Sequence, residues 1–184
     1  YAALDCAAVA AIHPFYTASV REFETAGRCI VPSAPVGFEG TEAWLQAVGR
    51  ACNVPQAMID AAKNKWLRAI KGALAATPIK GRVTVSGYEG SELLVARLLV
   101  ESGAEVPYVG SACPKTPWSA PDLEWLQARG VHVQYRASLE QDIAAAASQT
   151  ALTHPEPEID PTIELVNDNT PQISRMQINL LVNA

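Results

Sequence analysis

The sequence has no run of about 20 apolar residues, the length a helix needs to cross a bilayer, and its apolar opening run at residues 7–12 is far too short for that. A soluble chain without a membrane-spanning helix is the expectation. It has no Lys/Arg cluster either, and 14 basic against 19 acidic residues leave a formal charge of −5. Without an electropositive patch there is nothing to attract a phosphate backbone, so a nucleic-acid role is disfavoured. The four cysteines, Cys6, Cys29, Cys52 and Cys113, lie too far apart for a CxxC ligand pair. At this size and composition they do not suggest a disulfide framework, and structural thiols are the first reading. His13, His132 and His154 lack HExxH or comparable spacing, so a zinc site made by this chain alone is not expected. An initiator Met is missing too: the chain opens at Tyr1, and this opening reads as a cut from a longer sequence.

What is present is an alternation of short apolar runs with helical patterns. Hydrophobic residues make up 49% of 184, enough to bury a core of one domain or parts of two. Residues 7–12 suit a buried strand, residues 15–26 a helix closed by Gly27, and residues 28–32 a second strand. Residues 33–40 read as a Gly/Pro loop, after which Thr41 is placed to cap a helix to about Cys52 with Trp44, Leu45 and Val48 inward. Asn53, ahead of Pro55 and Gln56, is placed to open a second helix whose apolar stripe is Ile59, Ala62, Trp66, Ile70 and Leu74. A helix of that length often bridges two lobes, which puts a domain boundary near residue 78.

The clearest unit follows it. Residues 82–86 form a strand, 87–92 (GYEGSE) a turn, 93–103 a helix ended by Gly103, and 105–110 the next strand. Ser119 and Asp122 read as a capping box before a helix ended by Gly130, residues 131–135 as a third strand, and Ser138 and Gln141 as a further capping box. Strands separated by helices in this rhythm argue for an α/β fold with a parallel sheet. Beyond Gln149 the character changes, with three prolines and three acids in HPEPEIDP. Residues 162–166 and 178–182 have strand-like composition, and much of 149–172 has the composition of a disordered segment.

Two turns are placed to carry chemistry. Gly87-Tyr88-Glu89-Gly90-Ser91-Glu92 follows a strand and opens a helix, where open parallel sheets bind ligands. Its glutamates put negative charge where a pyrophosphate would sit, so a ligand other than a dinucleotide and a purely structural turn both stay open. The loop at residues 110–119, GSACPKTPWS, should emerge at the same rim. Cys113 is a thiol with no sequence-local activating partner, Lys115 a cation for an anionic group, and Trp118 a flat apolar surface or a lid over local core. His13 stands at a strand end, as a ligand contact or a satisfied structural histidine.

Residues 12–45 and 82–142, with the strings GYEGSELLVARLL and ACPKTPWSAPD, carry a sharper likeness. Over residues 7–147 the chain resembles the Y-subunit family of chlorophyllide a reductase. That family is a branch of the nitrogenase component 1 superfamily, which also holds the dark-operative protochlorophyllide reductases. The resemblance implies Rossmann-like domains around a central cavity. Residues 1–54 would end the second domain, 55–78 form a connecting helix, 79–148 supply part of the third, and 149–184 form a divergent tail. It implies a heterotetramer with the Z subunit and an interfacial [4Fe-4S] cluster whose ligands lie outside this chain. Electrons would come one at a time from an iron–sulfur component that hydrolyses ATP with Mg. The reaction would be reduction of chlorophyllide a at the C7=C8 bond of ring B, in the cytoplasm or at the surface of photosynthetic membranes. Gly87, Gly90, Cys113, Lys115 and Trp118 would contact substrate, and Tyr88 or Glu89 would serve a proton path. Two readings stand beside it: an α/β enzyme for a nucleotide or nucleotide sugar, and a non-catalytic α/β interaction module.

Overall fold

The computed structural model describes residues 5–13, 16–87, 90–151 and 181–183. Two sheets organise them. Strands β1 (Ala8–Ala11) and β2 (Cys29–Pro32) pair in parallel around helix α1 (Thr17–Thr25). After helices α2 (Gly37–Ala51) and α3 (Gln56–Ala76) comes the larger sheet: β3 (Arg82–Gly87), α4 (Glu92–Glu101), β4 (Tyr108–Ser111), α5 (Ala120–Gln127) and β5 (His132–Tyr135). Helix α6 (Leu139–Ala151) and β6 (Leu181–Asn183) complete it in the order β5-β4-β3-β6. Its first three strands are parallel, as the alternation with helices demands. No helix among the described residues is long and apolar enough to cross a membrane.

The core of the larger unit is the filling between this sheet and helices α4 and α5. Val85 and Val109 on the strands meet Leu93, Ala96, Leu99, Leu123 and Leu126 on the helices, all buried. A second, smaller core joins Ala11 of β1 and Val20 of α1 to Trp118, which arrives from the loop after β4. One indole therefore belongs to both halves of the chain.

Two expected helix starts moved, one through a tertiary partner and one through a local ending, and a third cap changed its partner. Helix α2 starts at Gly37 instead of Thr41, since the Glu101 carboxylate at the far end of α4 accepts from the Phe38 and Glu39 N–H groups and caps the helix from outside. Thr41 is then interior, and its hydroxyl bonds back to the Gly37 carbonyl at 2.6 Å. Asn53 does not open α3. It sits at φ +55 as the left-handed residue that ends α2, with its N–H on Arg50 O and the Val54 N–H on Gly49 O. In α3 the buried residues are Ile59 and Leu67, whereas Trp66 is 53% exposed, so that member of the stripe faces outward. Gly49 lets α2 and α3 approach closely, because a Cβ there would stand 2.5 Å from Ile59 Cδ1. Ser119 makes no side-chain cap for α5; it closes a box with Thr116 around the 3₁₀ turn Pro117–Ser119 instead. The box of Ser138 and Gln141 forms as read, in both directions.

The C-terminal part differs from its reading in one way: helix α6 continues to Ala151, into the segment expected to be disordered. The strand expected at 178–182 corresponds to β6, which lies antiparallel on the outer edge of β3. Residues 162–166, the other expected strand, and His154 fall outside the described residues.

Polar ties hold the two halves together beside Trp118. The Ser33 N–H donates to the Trp118 carbonyl at 3.2 Å, and the Ser33 hydroxyl donates to Asp122 Oδ1 at 2.7 Å. Asp122 also takes the Arg97 guanidinium at 2.5 Å, with both side chains about 5% exposed or less. Farther out, Glu39 of α2 accepts from Trp125 Nε1 at 2.7 Å and from Arg129, whose guanidinium lies 3.6 Å over the Trp125 ring. The Trp125 hydrogen bond, with help from the Arg129 charge and against some burial, holds the Glu39 carboxyl below its usual range. Removing one partner of a buried ion pair costs about 3–5 kcal/mol, while replacing both with apolar groups of similar volume is close to neutral. Arg97→Met is thus expected to lower stability by about that amount in urea denaturation, and Arg97→Met with Asp122→Leu to recover most of it. A cost under about 1 kcal/mol for the single change would show that the pair is not what the joint rests on.

Candidate functional site

Parallel strands bring their carboxyl ends to one rim, and ligands of open α/β sheets bind there. The register of β3 on β4 sets Gly87 opposite Ser111, so the turn after β3 and the loop after β4 leave the sheet side by side. Residues Ile12 and His13, just after β1, face them across a cleft of about 490 Å³ that includes open solvent at its mouth. One wall is apolar, made by Ala11, Ile12, Val20, Leu93, Leu94 and Trp118. The floor is polar, with Ser33, Ser111, Cys113, Asp122 and Tyr135. His13 packs edge-on against Tyr16, ring centroids 5.4 Å apart, at the rim.

Of the residues singled out in the sequence, Gly90, Cys113, Trp118 and His13 line this cleft. Gly87 ends β3 beneath it, and Lys115 is exposed and does not line it. Tyr88 and Glu89 lie outside the described residues.

Glu92, read only as a helix-dipole acid, proves central. It is 4% exposed. Its side chain folds back over the turn: Oε1 accepts from the Gly90 N–H at 2.9 Å and Oε2 from the Ser111 hydroxyl at 2.9 Å. The glycines of the turn make this possible. A Cβ at Gly87 would stand 2.9 Å from Glu92 Oε1, and Gly90 has φ +86, a conformation that L side chains rarely adopt. With Glu92 on the Gly90 N–H, a carboxylate already occupies the helix N-terminus where a pyrophosphate would bind. That removes physical support from the nucleotide reading.

The Cys113 thiol is buried, and burial together with the nearby Glu92 charge pushes it up to about 11. It stays a neutral thiol near pH 7, a poor nucleophile. Burial also raises the Tyr135 phenol, and its hydroxyl, shielded from solvent, makes no hydrogen bond of good geometry in the protein. No local pattern pointed to Tyr135, because the β4–β5 register brings its ring under the cleft. A second buried carboxylate, Asp142 of α6, accepts from Ser86 Oγ at 2.5 Å and Tyr108 OH at 2.7 Å and pins that helix to the sheet. Burial and the Asp142 contact push the Tyr108 phenol far above its usual value. Among the described residues no group of three or more His, Cys, Asp and Glu side chains could hold a metal ion. All four cysteines are free, Cys29 and Cys52 being exposed. An iron–sulfur cluster therefore does not fit the described residues.

A thiol held near 11 instead of an ordinary value near 9 has roughly 100-fold less thiolate at pH 8. Iodoacetamide labelling followed site by site by mass spectrometry is expected to modify Cys29 and Cys52 at least that much faster than Cys113. Equal rates at the three thiols would contradict the burial described here.

The sequence profile of the family described as nitrogenase component 1 type oxidoreductase matches residues 1–178. The "chlorophyllide reductase 52.5 kDa chain" of Cereibacter sphaeroides is 68% identical over 145 residues, covering 79% of this chain and 29% of that protein. The protein of the same name from Rhodobacter capsulatus matches with the same identity and coverage. The chain thus spans less than a third of the length of these curated relatives. Among solved structures, one titled "Nitrogenase Cp1 at pH 6.5" superposes with a TM-score of 0.53 at 15% identity, covering 80% of this chain and 33% of that one, a likeness of fold. With its parallel α/β sheet and a family match that runs almost from end to end, the chain belongs to the nitrogenase component 1 type oxidoreductases.

Proposed function

We propose that this chain is part of a subunit that reduces the C7=C8 bond of ring B of chlorophyllide a. It would do so with a Z subunit and an iron–sulfur component that hydrolyses ATP with Mg. The reading is supported by 68% identity to two proteins named chlorophyllide reductase chains. That identity is the observation that carries it, and the cleft adds the edge of a wider pocket. A conjugated macrocycle needs an apolar wall to lie on, which Trp118, Leu93 and Leu94 offer, and neutral hydrogen-bonding groups at its edge, which Ser111, Cys113 and Tyr135 offer.

Reduction of a carbon–carbon double bond needs two electrons and two protons. The described residues hold no group of three or more metal-ligating side chains, and in this reading the cluster and its electron path lie in other parts of the complex. What this chain contributes is binding, orientation and the environment of the reacting edge. Gly90, Cys113 and Trp118 are the proposed substrate contacts, with Gly87 shaping the turn and Lys115 meeting an anionic substituent at the rim. Tyr88 and Glu89, which the sequence sets between the two glycines, are proposed for the proton path. The complex would work in the cytoplasm or against the surface of photosynthetic membranes.

The test is the full-length subunit co-produced with its partner and supplied with reductant, ATP and the iron–sulfur component. Chlorophyllide absorbance is expected to fall as a bacteriochlorin band appears, only when ATP and reductant are both present. Trp118→Phe, which keeps most of the core filled, is expected to raise KM several-fold, in line with about 1 kcal/mol for a reduced stacking surface. A complex with full iron–sulfur absorbance that leaves chlorophyllide unchanged would overturn the proposal.

A further inference from the structure

We propose that Glu92 is a proton reservoir for the cleft and that the Ser111 hydroxyl passes its proton to the bound substrate. The inference rests on the reductase reading above and names a residue that reading did not use. Ser111 is 1% exposed and lines the cleft, with its hydroxyl 2.9 Å from Glu92 Oε2 on the side away from it. A hydroxyl can accept one proton while giving up another, so this contact works in either direction. With Glu92 ionised, Ser111 donates to it; with Glu92 protonated, the carboxyl donates to Ser111 and frees the serine hydrogen to point into the cleft. The Cys113 N–H, 3.3 Å from Ser111 Oγ, fixes the serine from a third side.

The other groups on this floor are worse placed to give up a proton. Cys113, from the loop after β4, and Tyr135, from β5, hold theirs more tightly than usual because they are buried. Asp122 of α5 is committed to Arg97 of α4 and to Ser33. Asp142 of α6 is committed to Ser86 and Tyr108. His13 sits at the mouth after β1. Asp122 likewise meets a cleft-lining hydroxyl, that of Ser33, but through the oxygen that carries the Arg97 ion pair; among the described residues Glu92 and Ser111 are the carboxyl and hydroxyl joined at the cleft outside that ion pair.

The step balances as follows. The substrate double bond takes two electrons, one at a time, from an iron–sulfur electron donor protein, and two protons. One substrate carbon forms a bond to the Ser111 hydrogen. The Ser111 oxygen takes the Glu92 carboxyl hydrogen in the same motion, leaving a Glu92 carboxylate that recovers its proton through the Ser111 hydroxyl from water that enters the cleft after product leaves. The second proton comes from elsewhere.

The test uses the full-length subunit in its complex, comparing wild type with Glu92→Gln, Glu92→Asp, Ser111→Ala and Glu89→Gln. Glutamine keeps the acceptor for the Gly90 N–H but has no acidic proton, so kcat is expected to fall about 10²-fold or more with KM within about twofold. The limb on which kcat falls as pH rises, which an obligatory proton donor produces, should disappear. Ser111→Ala should lower kcat comparably in protein that is still folded at the assay temperature, although losing the Ser111 hydroxyl lowers the melting temperature, and Glu92→Asp should retain part of the activity and the limb. Wild-type turnover with an unchanged rate and pH profile in Glu92→Gln would overturn the relay and leave the reductase reading standing. So would loss of the limb in Glu89→Gln alone. Should Glu92→Gln unfold, Ser111→Ala decides by itself, and full activity there is equally fatal. A wild-type complex with full iron–sulfur absorbance and no turnover would overturn both.

Discussion

A guanidinium and a carboxylate out of reach of water are tolerable only as a pair, and Arg97 with Asp122 is the pair on which the arrangement of this chain depends. Arg97 comes from α4 and Asp122 from α5, so their contact fixes how the two helices lie on one face of the larger sheet. Ser33, from the end of β2, shares the same carboxylate oxygen and extends the constraint to the smaller sheet. Trp118 is trapped between, its carbonyl on Ser33 N–H and its ring against Ala11 and Val20. The cleft opens where these groups converge. Its position therefore follows from an electrostatic requirement as much as from shape. The Arg97 guanidinium also lies 4.7 Å over the Trp125 ring, which covers the cation with an aromatic face.

Around that joint the polar groups are arranged by the same logic of satisfaction. Three carboxylates reach across from one element to another: Glu101 caps α2, Asp142 bonds Ser86 and Tyr108, and Glu92 bonds Gly90 and Ser111. Each meets a glycine or a helix end that leaves it room. A Cβ at Gly110 would collide with Asp142 Oδ1, and one at Gly37 with the Glu101 carboxylate. These glycines serve close approach, and the buried acids turn that approach into hydrogen bonds. A site built this way is stiff, which is what orienting a flat substrate edge requires.

Much of this was legible in the residues. The alternation of short apolar runs with helical stripes, the stops at Gly27, Gly103 and Gly130, and the capping box at Ser138 are local features, and the chain follows them. So does the meeting of the turns at Gly90 and Cys113, because consecutive parallel strands must deliver their carboxyl ends to the same rim. The two misplaced helix starts have different causes: Glu101 caps α2 ahead of Thr41, and Asn53 is taken by the Schellman ending of α2. Ser119 does stand at the start of α5, but its side chain serves Thr116.

The sequence by itself determined the α/β class, the order of elements and the rim at which a ligand would sit, since periodicity, caps and turn residues act over a few positions of chain. Only the tertiary structure decided that Glu92 faces Ser111, that Tyr135 lies under the cleft, that Trp118 enters the core beside β1 and α1 and that Asp122 serves Arg97 instead of its own helix. These partners are 16 or more residues apart in the sequence. A buried polar group chooses among all the donors that folding brings within reach, and sequence spacing carries no record of that choice.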